Sequence, residues 1–196
     1  MIVGIRHARV WNPQGLVYAR LPGFHLSDDG RTAAEAFSAA LAAAPIRAVY
    51  ASPLNRAKET AAVLARPHGL PVQEDERLSE WSFWVHWQGL PWSSIRERDP
   101  ELLEAYATDP GSAGIEESLE EAGRRVLAWA HEAEIHDPGQ LALGVSHEAS
   151  LLAAMLLGQG RDLSEYHSHN LAHLACVRLV PGPPEPVDLA EWARTC

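Results

Sequence analysis

Short apolar runs and longer amphipathic stripes alternate along this chain, and the alternation predicts its elements. Ile2 to Ile5 is an apolar run of strand length. A long loop holding several Gly, Pro and Asn follows from Ala8 to about Asp29. Ser27-Asp28-Asp29-Gly30 is a helix N-cap region, and Thr32 to Ala44 reads as a helix that Pro45 stops. Ala48 to Ala51 is a second strand, Asn55 to Ala65 a helix with Ala57, Ala61 and Leu64 on one face, and Pro71 to Glu74 a short extended piece. In the second half, Glu116 to Glu134 is a charged amphipathic helix, Leu141 to Val145 a strand, and Glu148 to Leu157 a helix carrying Leu151, Leu152, Met155 and Leu156. Leu174 to Leu179 alternates as a last strand before a Pro-rich tail. Strands alternating with helices predict an α/β fold: a mainly parallel central sheet with helices on both faces, a three-layer α/β/α sandwich.

Residues 76 to 115 break the pattern. Trp81, Phe83, Trp84, Trp87 and Trp92 crowd into them, followed by short helices over Pro91 to Arg98 and Glu101 to Ala107 and by the loop Gly111-Ser112-Ala113-Gly114. With no internal repeat and no linker in view, residues 1–196 read as one domain with a helical, Trp-rich cap inserted around 76–115. The tryptophans have two readings: they pack the cap onto the sheet, or they form an aromatic wall for a flat or apolar leaving group.

A formal net charge of −10 argues against nucleic acid or an anionic membrane as a partner. It also makes any local cluster of Arg and His more telling. The two cysteines, Cys176 and Cys196, imply no disulfide framework. No apolar run is long enough to span a bilayer, and the start lacks the features of a signal peptide. A cytoplasmic setting is expected.

Candidate chemistry sits at three predicted strand ends. Arg6-His7 follows the first strand, Ser52-Pro53-Leu54-Asn55-Arg56 the second, and Ser146-His147 the run Leu141 to Val145. Open α/β sheets bind ligands at the carboxyl ends of their strands, and two Arg with two His converging there describe a pocket for a phosphoryl group. The planar guanidinium fork of Arg6 or Arg56 can hold two oxygens at once. An imidazole that is neutral near pH 7 can attack phosphorus, and His7 sits where a nucleophile would be needed. His147, just ahead of a helix, can donate a hydrogen bond to the same group beside the helix's first amides.

These blocks resemble the histidine phosphatase superfamily, in particular its phosphoglycerate-mutase-like branch. Ile5-Arg6-His7-Ala8 stands where that branch has Arg-His-Gly, and the run Ser52 to Ala61 is similar to its Ser-Pro-Leu-x-Arg-Ala-x-x-Thr-Ala block. Asp75 to Glu80 resembles the block bearing the family's acid, and Val145-Ser146-His147 its second histidine block; Glu117-Ser118 followed by Arg125 is a weaker echo. The resemblance implies a phosphoglycerate-mutase-like fold and a metal-independent phosphatase, with no cofactor, acting on a small phosphorylated metabolite. It implies that His7 becomes a phosphohistidine, that Arg6, Arg56 and His147 bind the phosphoryl oxygens, and that Glu80 protonates the leaving group. Asn12 stands for the family's phosphate-side Asn, in a loop one residue short. Ala8 replaces a Gly close to the phosphate, Arg9-Val10 replaces Glu-Thr, and Glu148 puts a negative charge where Gly is frequent.

Two alternatives stand beside the phosphatase. One is a phosphoglycerate-mutase-type phosphotransferase, against which the chain's length argues. The other is a weakly active phosphate-binding module, motivated by Ala8 and Glu148. The Trp segment and apolar last strand would permit a homodimer. His167, Ser168, His169 and His173 read as a loop or strand edge rather than a metal cluster. The run Glu116 to Arg125 reads as a solvated helix face with Glu120 and Arg124 paired, and Arg125 reaching the site is the lesser reading.

Overall fold

The computed structural model describes residues 1–113, 115–136 and 141–195; Gly114 of the expected loop and Cys196 lie outside them. Six strands form one sheet: β1 (Ile2–Arg6), β2 (Ile46–Ala51), β3 (Val72–Glu74), β4 (Leu141–Ser146), β5 (Cys176–Val180) and β6 (Glu185–Val187). Their order is β3-β2-β4-β1-β5-β6. β3, β2, β4 and β1 are parallel, whereas β5 and β6 each run antiparallel to the strand before them in that order. The helices are α1 (Asp28–Ala40), α2 (Asn55–Ala65), α3 (Trp92–Arg98), α4 (Pro100–Thr108), α5 (Leu119–His136), α6 (Glu148–Gly158) and α7 (Leu189–Thr195).

Strand periodicity sorts the core onto two faces. Val3, Ile5, Val49, Leu143 and Val145 pack beneath α2 with Ala57, Ala61 and Leu64. Ile2, Ala48 and Ala142 face the other way, against Val126 and Trp129 of α5 and Leu151 and Met155 of α6. On that face Gly4 and Gly144 are register partners. A Cβ at Gly144 would lie 2.2 Å from the Trp129 ring, so the bare backbone makes room for the indole. Gly123 lets α5 meet α6 backbone to backbone: a Cβ there would stand 2.7 Å from the Ala153 carbonyl carbon. α6 is buried on nearly all sides, as its apolar residues all round require.

Most differences from the sequence reading trace to caps and edges. α1 starts at Asp28, four residues before the expected Thr32, because Ser27 Oγ accepts from Gly30 N at 3.0 Å. It ends at Ala40, and residues 41–44 turn before Pro45. α5 starts at Leu119 rather than Glu116: Ser118 Oγ accepts from Glu121 N, and the Glu121 carboxylate accepts from Ser118 N, a capping box. The strand expected from Leu174 is β5 and starts at Cys176, since Leu174 has φ of 65° and belongs to a turn. The Pro-rich tail contains β6 and α7, with Pro186 tolerated because β6 is an edge strand. No helix among the described residues is long and apolar enough to cross a membrane.

Candidate active site

Parallel register brings the predicted residues together. β1 and β4 are neighbours with Arg6 opposite Ser146, so His7 and His147 emerge side by side, ring centroids 5.1 Å apart. β2 flanks β4 and delivers Ser52, whose N–H donates to Val145 O at 2.9 Å. Arg56 then rises from the first turn of α2. His7, Arg56 and His147 are all buried.

Hydrogen bonds fix both imidazoles. His7 Nδ1 lies 2.8 Å from Ala8 O, a carbonyl that can only accept, so Nδ1 carries the proton. Nε2 is left with its lone pair, and Arg56 Nε–H donates to it at 3.3 Å. Ser52 Oγ accepts from Leu54 N and stands 2.9 Å from His147 Nε2. Nε2 is the one acceptor within reach of this hydroxyl among the described residues, which assigns the hydroxyl proton to that contact and leaves the N–H on His147 Nδ1. Among the described residues that N–H has no partner, nor does the buried Arg6 Nε. Two buried donors without acceptors, beside a nucleophilic lone pair, make a floor that an anion would satisfy.

The second guanidinium is Arg6, which donates to Leu171 O and pairs with Glu148 Oε2 at 2.9 Å. Arg56 donates to Ala19 O at 2.9 Å and lies over the Tyr18 ring, 4.7 Å from its centroid. Burial pushes His7 and His147 well below the ordinary imidazole value, reinforced for both by Arg56. Both rings are therefore neutral at pH 7. Glu80 is shifted the other way: burial raises its carboxyl, against opposing pulls from Arg56, the Trp81 N–H and Arg6.

Glu80 lines the same cavity of about 290 Å³ as Arg6, His7 and Arg56. Its loop is fastened from below. Ser146 Oγ donates to Leu78 O at 2.7 Å and Ser150 Oγ to Ser79 O at 2.8 Å. Arg125 Nη1 donates to Arg77 O and Ser79 O, both at 2.7 Å, and Nη2 to Glu80 O at 3.2 Å. Glu117 pairs with the same guanidinium at 2.6 Å, and Ser150 Oγ accepts from its Nη2 at 3.4 Å. Arg124 makes the expected surface pair with Glu120, but its neighbour Arg125 is a clamp on the acid-bearing loop.

Asn12 is not among the cavity's lining residues. Its amide closes its own turn, donating to Leu16 O and accepting from Leu16 N, and it thereby shapes the segment Leu16 to Ala19 that does line the cavity. Ala8 is buried in a small apolar cluster with Leu26, Ala34 and Val63. Its N–H donates to Thr60 Oγ1, whose hydroxyl donates to Arg56 O. Thr60 thus ties the His7 carbonyl brace to α2, a role that its place in the Ser52 to Ala61 block could have suggested. Trp81 and Trp87 are buried, whereas Trp84 and Trp92 line the cavity. The histidines at 167–173 disperse: His167 bonds Tyr106 O, and His173 packs its ring 5.6 Å from that of His7.

Residues 2–194 match the family model described as histidine phosphatase superfamily (branch 1). An uncharacterized protein of Mycobacterium tuberculosis is 35% identical over 159 residues, 81% of this chain and 78% of that one. The solved structure of Bacillus stearothermophilus YhfR superposes with a TM-score of 0.83 at 22% identity, covering 95% of this chain and 94% of that one. A mycobacterial glucosyl-3-phosphoglycerate phosphatase does so with a TM-score of 0.79 at 24% identity, covering 90% of each chain. At these identities the two structures share the fold.

Proposed function

The chain belongs to the histidine phosphatase superfamily, branch 1, and we propose that it hydrolyses a phosphomonoester through a phosphohistidine on His7, without a metal. The observation that carries this reading is the His7 tautomer: Nδ1–H held on Ala8 O, with the Nε2 lone pair facing Arg56. In the first step Nε2 attacks phosphorus, the bond to the ester oxygen breaks, and Glu80 gives that oxygen its proton. Arg6, Arg56 and the His147 Nδ1–H neutralise the phosphoryl oxygens as charge builds in the transition state. In the second step Glu80, now a carboxylate, takes a proton from water as the water attacks phosphorus. Phosphate leaves and His7 is restored.

A weakly active phosphate-binding module has one observation in its favour. Glu148 already occupies Arg6, so an incoming phosphoryl group must compete with a carboxylate 2.9 Å away. One experiment separates the two readings: phosphate release from p-nitrophenyl phosphate with EDTA present, for wild type and His7→Ala. Turnover that survives EDTA and disappears in the variant is expected, together with an acid-labile phosphoryl group trapped on wild type. A folded wild type that binds phosphate without turnover would overturn hydrolysis in favour of the binding module.

A further inference from the structure

The cavity above the phosphoryl floor is walled by rings. Tyr18, Trp84, Trp92, Tyr106 and Tyr166 all line it, and Trp84 meets Trp92 edge to face at 5.3 Å and Tyr106 at 5.1 Å. Trp92 is half exposed, at 49%, so part of its surface remains available at the mouth. The ring cluster is buttressed from behind, where Phe83 stacks on both Trp81 and Tyr106.

The charges in this cavity are unevenly distributed. Among the described residues its only lining cations are Arg6 and Arg56, both at the floor, and its lining acids are Glu80 and Glu148. A phosphoryl dianion calls on both guanidiniums. Nothing cationic among the lining residues is then left for a second anionic group on the substrate. A carboxylate or second phosphate on the leaving group would instead meet aromatic faces, which are electronegative, and the Glu148 carboxylate. The volume, about 290 Å³, is at the small end for a ligand site.

From this, and resting on the phosphatase reading above, we infer that the substrate is a monophosphate ester of an uncharged alcohol carrying a single aromatic or similarly flat apolar ring. The ring packs against Trp84 and Trp92 while the ester oxygen faces Glu80. Trp84 and Trp92 are then specificity-determining residues. Esters bearing a carboxylate beside the phosphate, such as phosphoglycerates, are poor substrates.

The test compares benzyl phosphate, n-propyl phosphate and 3-phosphoglycerate, all esters of alkyl alcohols, so that leaving-group activation does not mimic ring recognition. Wild type is expected to favour benzyl over n-propyl phosphate in kcat/KM by about tenfold, the scale of one or two aromatic contacts. Trp92→Ala, at a half-exposed position, should collapse most of that ratio. Equal kcat/KM for benzyl and n-propyl phosphate, or preference for 3-phosphoglycerate, would overturn the inference. Binding of benzylphosphonate against 3-phosphonopropionate, followed by tryptophan fluorescence, tests the wall without turnover. Tighter benzylphosphonate binding is expected, and the reverse order refutes the aromatic wall. Retained benzyl preference in a protein that hydrolyses nothing would refute only the hydrolytic reading.

Discussion

Arg125 offers the sharpest test of how the site is held together. Its guanidinium serves three carbonyls of the Arg77 to Glu80 loop and both oxygens of Glu117. Arg125→Lys keeps the charge, but one ammonium cannot reproduce the planar fork, so two or more of these bonds are lost. Hydrogen bonds to a charged group contribute about 1.5–3 kcal/mol each, and an ammonium recovers part of the set, giving a net loss of about 3 kcal/mol. For a chain of 196 residues that corresponds to a fall in Tm of roughly 6–12 °C. The loss should also be chemically selective. The proposed phosphoryl-binding residues hang from β1, β4 and α2, whereas the clamp holds the loop that bears Glu80. A displacement of about 1 Å in a reacting group can cost about a hundredfold. Hydrolysis of alkyl phosphates should therefore drop by about 10–100-fold. First-turnover release of p-nitrophenol, which needs little protonation, should fall by less than about threefold, and inhibition by inorganic phosphate should not change. Equal losses on both substrates in folded protein would refute the clamp and reduce Arg125 to a structural residue.

Two further outcomes follow from the same geometry. Glu80→Gln keeps an oxygen for the Trp81 N–H but cannot donate as an acid, so alkyl phosphates should lose about 10²–10⁴-fold. The alkaline limb of the wild-type pH–rate profile should vanish in this variant, and persistence of that limb would assign it to another group. Gly144→Ala puts a methyl group against Trp129 (2.2 Å before relaxation). Overpacking of this kind costs about 1–3 kcal/mol, so Tm should fall by several degrees, and an unchanged Tm would show that α5 can retreat from the sheet.

The parts legible in the sequence are those whose causes are local. β1, β2 and β4 were readable as short apolar runs and α6 as a longer one, and α2 spans the expected Asn55–Ala65. The Ser118-x-x-Glu121 capping box was equally local and would have placed the start of α5 at Leu119. β6 was hidden because Pro is read as a strand breaker, and only its edge position in the finished sheet makes Pro186 tolerable. Arg125 was legible only as a weak family echo after Glu117-Ser118, and its hold on the loop was hidden for a different reason. Its partners are backbone carbonyls more than 40 residues away, which have no sequence signature, and its charged neighbours Glu120, Glu121 and Arg124 resemble a solvated face. Asn12 shows the reverse case: a motif position was kept while its amide was taken over by the local turn.

The proposed chemistry asks for a neutral His7 and a protonated Glu80 at the same moment. In water these demands conflict, because an imidazole is neutral only above about pH 6.5 and a carboxylic acid protonated only below about pH 4.3. Burial eases the conflict with a single cause. Desolvation disfavours the charged form of each group, so it lowers His7 and raises Glu80, moving their titrations toward one another. Arg56 deepens the shift of His7 but opposes that of Glu80, so the acid depends more heavily on exclusion of water. That exclusion comes from the tryptophan-rich segment: Trp81 directly follows Glu80, holds its carboxyl through the backbone N–H, and is buried against Phe83. The two readings of the tryptophans then divide by position. Trp81 fixes the Glu80 carboxyl through its backbone N–H, while Trp84 and Trp92 face the space where a leaving group would lie. The segment that follows Glu80 thus carries both the backbone N–H that holds the carboxyl, at Trp81, and two of the rings that line the cavity, Trp84 and Trp92.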